Sequence, residues 1–254
     1  MGLLDLGLEG RTVIVTGGAG AIGRAVAEGF AEAGARVAVV DIAAERTAAV
    51  AAELGPEHAG FAADLRDIPS LDPLVGRISE TLGPVDVLVN IAGIIKRTDN
   101  LFTVTEADWD AQHDINLKAL FFLSQAVARR MVEEKRGGSI IHYTSQGWMS
   151  GGFGGSVVYN ASKGGVTTIT RGMARSWAPH SIRVNAVAPG LVETPMLVTP
   201  ETPPESVQAL IDSIPMKRLG QPADHAGATV FLASNMAAYI TGATLNVSGG
   251  FLMY

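Results

Sequence analysis

A single α/β domain, doubly wound around a seven-stranded parallel sheet of Rossmann type, is what this 254-residue chain predicts. Three observations predict it. Short apolar or β-branched runs alternate with longer amphipathic stretches from one end to the other. The first run leads straight into a glycine-rich turn and a helical pattern. No linker or shift of composition divides the chain, so one domain over 1–254 is expected.

The strands are expected at "TVIVT" (12–16), "RVAVV" (36–40), "GFAA" (60–63), "VDVLVN" (85–90), "GSIIHYT" (138–144), "IRVNAVA" (182–188) and "ATLNVS" (243–248). Most are apolar at nearly every position, the pattern of strands covered on both faces. Helical periodicity marks the Ala-rich stretches between them, at 21–33, 43–54, 106–135, 157–178 and 222–233. The stretch 190–215 breaks this rhythm with Pro195, Pro200, Pro203, Pro204 and Pro215, which exclude a core strand or one long helix. Since it follows a strand's carboxyl end, where open α/β sheets bind ligands, it is expected to be a substrate lid in preference to a plain surface excursion.

Hydrophobic residues make up 47% of the chain and charged residues 17%, a composition that excludes disorder. A net charge of −6 argues against a nucleic-acid surface. With no cysteine there is no disulfide, thiolate metal site or cysteine nucleophile. The five histidines, at 58, 113, 142, 180 and 225, have no metal-ligand spacing, so no metal is expected. Neither a signal peptide nor a membrane-length apolar run is read, and a cytoplasmic location is the expectation.

In "TVIVTGGAGAIGRAVAEGF" strand, glycine turn and helix follow in the order that lets a backbone approach a pyrophosphate at a helix N-terminus. Gly18 to Gly23 also has the spacing of a triphosphate-binding loop, but Arg24 and Ala25 stand where that loop needs Lys and Ser or Thr. Asp41 ends the second strand, eighteen residues after Gly23. Its carboxylate suits the ribose hydroxyls of an NAD-like dinucleotide and would repel a 2′-phosphate; capping the next helix is an equally good use of it. Farther on, Tyr159 and Lys163 lie four residues apart, one helical turn, on one face. Alone, such a pair is usually a surface pair.

Taken with their order along the chain, these motifs make the sequence resemble the short-chain dehydrogenase/reductase family over its whole length. The TGxxxGxG turn is Thr16–Gly23, with Ala21 in place of one glycine; "NIAG" at 90–93 resembles the family's NNAG; Tyr159 and Lys163 match YxxxK. The interval from Ser145 to Tyr159 is about one residue longer than the commonest form, and the glycines of "GWMSGGFGG" can absorb it. The resemblance implies catalytic roles for Asn116, Ser145, Tyr159 and Lys163. For the cofactor it implies Gly17, Gly20, Ile22, Gly23, Asp41, Ile42, Asp64, Leu65, Asn90, Ala92, Gly93, Tyr159, Lys163, Pro189, Gly190, Val192 and Thr194. It further implies a homotetramer.

These roles are chemically coherent. Hydride transfer from an alcohol carbon requires loss of the hydroxyl proton, and a free tyrosine, with a pKa of about 10, is a poor base at neutral pH. A nearby cation lowers that value, and Lys163 is expected to supply it. Ser145 would orient the substrate oxygen and Asn116 would hold a water in the proton path. NAD is expected rather than NADP, with a small alcohol or ketone as the other partner. Within the family the stretch "NIAGIIKRTDNLFTVTEADWD" is similar to the sugar-acid and gluconate dehydrogenases. A sugar, sugar acid or polyol is therefore the expected substrate, with Ser145, Gln146, Lys96, Arg97 and Trp148 as contacts. Lys96 and Arg97 read equally well as a solvated pair beside Asp99. The alternatives are a 3-oxoacyl-thioester (acyl-carrier-protein) reductase and a nucleotide-binding regulator without activity.

Overall fold

The computed structural model describes residues 5–152 and 154–254. Seven parallel strands form one sheet in the order β3-β2-β1-β4-β5-β6-β7. They are β1 (Thr12–Thr16), β2 (Arg36–Asp41), β3 (Ala59–Ala62), β4 (Val85–Asn90), β5 (Gly138–Tyr143), β6 (Ile182–Pro189) and β7 (Thr244–Val247), each end within one residue of expectation. The order reverses between β1 and β4. Thr16 pairs with Val40 on one side and Asn90 on the other, so the loops after β1, β2 and β4 leave the sheet at one level. That is where an open α/β sheet leaves a crevice.

Both faces of the sheet are covered. Successive residues of a strand point to opposite faces. Val13 and Val15 accordingly pack into one layer with Val26 and Phe30 of α1 (Ala21–Glu32) and Leu232 of α9 (Pro222–Ala233), while Ile14 packs into the other. That second layer holds α3 (Ile68–Leu82), α5 (Leu120–Glu133) and α7 (Val157–Trp177). The other helices are α2 (Ala44–Leu54), α4 (Glu106–His113), α6 (Gly147–Ser150) and α8 (Pro204–Ser213). Among the described residues no helix is long and apolar enough to cross a membrane.

Two elements differ from the expectation. The stretch 106–135 is not one helix: α4 and α5 are separated by a π-helical turn, Asp114–Ala119, that carries Asn116. The extra residue in such a turn re-aims the side chains within it. α3 lacks the Ala-rich pattern and carries Pro69 and Pro73. Pro69 lies in the first turn, where its missing N–H costs nothing, and the stripe Leu71, Leu74, Val75, Ile78 and Leu82 is buried, which outweighs the bond lost at Pro73. Within 190–215, Pro204 starts α8, an ordinary use of proline in a helix's first turn.

Candidate active site

A cleft of about 790 Å³ opens at the carboxyl ends of β1, β2, β4, β5 and β6, and runs from the glycine turn to Tyr159. At its closed end the glycines are required by contact. Gly17 has φ +65°, and a Cβ there would lie 3.0 Å from the backbone of Ala92; a Cβ on Gly23 would fall 2.0 Å from the Gly17 carbonyl oxygen. Without them α1 could not close on the turn. Gly20 has ordinary extended backbone and serves as the N-cap of α1, whose first turn has neither a side-chain cap nor an acidic residue. Its open amides, beside a wall of glycines, fit a pyrophosphate.

Asp41 sits on the cleft wall with Ile42. Its carboxylate accepts from the amides of Ile42 (2.8 Å), Ala19 (3.3 Å) and Ala43 (3.4 Å). It therefore braces the glycine turn against the end of β2, while the N-cap of α2 is Ala43 with no side-chain cap. Asp64 and Leu65 line the same end, and Arg66 grips the Asp64 carboxylate at 2.6 Å, holding it below the usual carboxylate range. Ala92, Gly93, Pro189, Gly190, Val192 and Thr194 continue the wall toward the reactive end.

There Tyr159, Lys163, Ser145, Gln146 and Arg97 converge. Tyr159 and Lys163 share one face of α7, the ammonium lying 5.7 Å from the phenol ring centroid. Burial pushes the Tyr159 phenol up to about 12, with the Ser145 hydroxyl and the Arg97 charge pulling the other way. Lys163 is buried, donates to the Tyr143 carbonyl at 2.8 Å, and is pulled down to about 8 by desolvation. The adjacent Thr144 spends its hydroxyl on the Lys163 carbonyl (2.7 Å) and Thr167 (2.9 Å), which leaves Ser145 as the hydroxyl facing Tyr159. Gly151, Gly152, Gly154 and Gly155, between Ser145 and Tyr159, all have positive φ, the conformation glycine adopts without strain.

Four of the expected site residues do not line the cleft. Asn90 is buried and donates to Ser124 at 3.0 Å; Ile91 lines the cleft in its place. That bond begins a buried chain through Ser124 and His142 to Thr170, which pattern reading missed because its members are scattered over four elements. Asn116 is fully buried behind the wall, bonded to the N–H (2.8 Å) and C=O (2.9 Å) of Ile94 and to Ser162 (3.1 Å). Gly93 makes room for it, since a Cβ there would lie 2.9 Å from its Oδ1 and 3.4 Å from the Lys163 ammonium. Lys96 turns away from the cleft to pair with Asp108, not Asp99. Trp148 lies outside the cleft lining, its ring edge-on to Tyr254 at 5.4 Å.

A glycine-cradled groove fit for a dinucleotide, ending in a Ser–Tyr–Lys cluster, defines a class: Rossmann-type NAD(P)-dependent oxidoreductases. A family model described as enoyl-(acyl carrier protein) reductase matches residues 17–252, and the chain belongs to the short-chain dehydrogenase/reductase family, oxidoreductases that act on CH–OH groups with NAD(P). It is 38% identical over 246 residues to the 2-dehydro-3-deoxy-D-gluconate 5-dehydrogenase of Escherichia coli K12, covering 96% of each chain. A crystal structure from Beutenbergia cavernae, designated an NAD(P)-dependent gluconate 5-dehydrogenase and holding NADP at low occupancy, superposes with a TM-score of 0.90 at 36% identity over 96% of this chain and 97% of that one. The 3-ketoacyl-(acyl-carrier-protein) reductase of Brucella melitensis, complexed with NADH, gives a TM-score of 0.90 at 33% identity over 97% and 100%.

Proposed function

We propose that this protein interconverts a secondary alcohol and a ketone on a small polar substrate, a sugar acid in first place, then a sugar or polyol, with NAD as the preferred cofactor. The observation that carries the proposal is the meeting of Ser145, Tyr159 and Lys163 at the end of the cleft, with Lys163 one turn from Tyr159 on the same helix. Bound along the glycine turn, the dinucleotide supplies the hydride acceptor or donor. Ser145 orients the reacting oxygen, and Tyr159 takes its proton during oxidation and returns it during reduction. Lys163, pulled down to about 8 by burial, would hold the cofactor and stabilise the phenolate once substrate and cofactor exclude water. Asn116 acts from behind the wall as a positioning residue, fixing Ile94 and Ser162.

Arg97 supports the sugar-acid preference. It lines the cleft, donates to the Gly154 carbonyl at 3.2 Å and its charge reaches Tyr159, so a substrate carboxylate would meet a cation near the reacting carbon. Asp41 supports NAD over NADP, because a 2′-phosphate would meet a carboxylate. The wall from Leu191 to Leu197 supports a lid role for 190–215, and the open edge of β7 with exposed Met236, Tyr239 and Met253 supports a homotetramer. A second reading, reduction of an oxo-thioester, is favoured by Met196 and Leu197 in the cleft wall. A panel of sugar acids, sugars, polyols, hydrophobic alcohols and oxo-thioesters, followed by NADH absorbance, separates them. Turnover of only oxo-thioesters or hydrophobic alcohols would reject the polar-substrate reading.

A further inference from the structure

Among the described residues, buried side-chain polar atoms without a hydrogen-bond partner occur on Gln146, Trp148, His225, Thr244 and Asn246. Of these only Gln146 lines the cleft beside Tyr159. Its side-chain oxygen is unpartnered although the residue is 7% exposed. A buried acceptor left without a donor is costly, and native structures keep few of them.

The fold offers no repair. The backbone N–H of Gln146 donates to the Pro189 carbonyl at 3.0 Å, across the ends of β5 and β6. The next residue, Gly147, packs so tightly on α7 that a Cβ would lie 1.9 Å from the Asn160 side-chain oxygen. Asn160 in turn is held by the carbonyl (2.8 Å) and hydroxyl (2.9 Å) of Ser156. The Gln146 side chain is therefore presented to the cleft from a fixed backbone, one residue after the serine that lines the cleft with Tyr159.

We propose that Gln146 is a specificity-determining residue that reads a hydroxyl on the carbon next to the one oxidised, so that the substrates are vicinal diols and the products α-hydroxy ketones. The inference rests on the polar-substrate reading of the same cleft and narrows it. A hydroxyl is both donor and acceptor, and the terminal amide torsion is broad and two-fold, so it can meet whichever amide atom faces the cleft. A site built around such a bond rejects the analogue that lacks the hydroxyl, because the protein group is then left unpaired.

The test uses a sugar acid or polyol that the enzyme oxidises, its analogue deoxygenated at the neighbouring carbon, and the variant Gln146→Met, which keeps the length and removes the amide. We expect the wild type to favour the diol by at least about 100-fold in kcat/KM. In Gln146→Met that ratio should fall at least tenfold, with NADH affinity by fluorescence titration unchanged. A purely structural role would lower both substrates together and leave the ratio intact, and that result would overturn the assignment. If the wild type oxidised polar substrates with no preference for the diol, the Gln146 inference alone would fall. If it accepted only hydrophobic alcohols or oxo-thioesters, the reading of the cleft would fall with it.

Discussion

Tyr159 is held back as a base by its own burial, which lifts the phenol to about 12 while Ser145 and Arg97 oppose the rise. Replacing its oxygen tests the role directly. Tyr159→Phe keeps the ring, so turnover should fall by about 10²–10⁴-fold with NADH affinity nearly unchanged in fluorescence titrations. Near-normal turnover would remove Tyr159 from the mechanism. Arg97→Met takes away a charge that favours the phenolate, so the phenol rises further. Since oxidation needs the deprotonated form, the rising limb of kcat/KM should move to higher pH and the rate at neutral pH should drop. The KM for sugar acids should increase more than that for neutral polyols; a limb that stayed in place would mean Arg97 does not reach the base in the working enzyme. Arg97 and Lys96 are adjacent in sequence, and spacing gave no means to choose between them. Only Asp108, in the first turn of α4, decides it by drawing Lys96 away.

At the scale of the element, the end of β2 governs cofactor choice. Asp41 both faces the cleft and accepts three backbone amides, so removing the carboxylate outright would loosen the glycine turn as well. Asp41→Asn keeps an acceptor while removing the charge. The ratio of kcat/KM for NAD over NADP should exceed one in the wild type and shrink by about tenfold in the variant, the size of one unfavourable charge contact partly screened by water. A wild type that prefers NADP would reject the assignment. The strands and the glycine turn were legible because burial on both faces and close backbone approach leave strong marks on residue choice. Other elements were not legible for equally physical reasons. In α3 two prolines mask a complete apolar stripe, and nothing in "DINLKA" announces a π turn. The motif "NIAG" was found in its place, yet Asn90 points to Ser124 and not to the cleft, because order along the chain does not fix the direction of a side chain at a strand's end.

The molecule as a whole carries a stability that depends on keeping two imidazoles neutral. His225, 1% exposed on α9, has no partner on either ring nitrogen, and burial pulls it down to about 4 against the opposing charge of Asp224. His142 is pulled down to about 3 by burial and by the Lys163 charge, but its nitrogens meet Ser124 and Thr170. For both, the folded-state value lies below the ordinary one of about 6.5. Between the two values the unfolded chain binds a proton that the folded chain refuses, so stability is full above about pH 6.5 and is lost as pH falls toward about 4. Asp224, held near 2 by Arg218, loses its contribution only in a lower window, so the two effects can be told apart. His225→Leu removes two orphaned nitrogens at similar volume. It should raise stability by about 1–3 kcal/mol at pH 7.5, a midpoint gain of roughly 2–4 °C for each kcal/mol at this chain length. The gain should be larger at pH 5, where the proton penalty is removed too. His142→Leu should do the opposite at pH 7.5, because it removes the imidazole's buried bonds to Ser124 and Thr170 and breaks the chain between them. Thermal midpoints of the three proteins at pH 7.5 and 5 check this. A wild-type loss on acidification that His225→Leu reproduces in full would mean that this histidine does not titrate with unfolding.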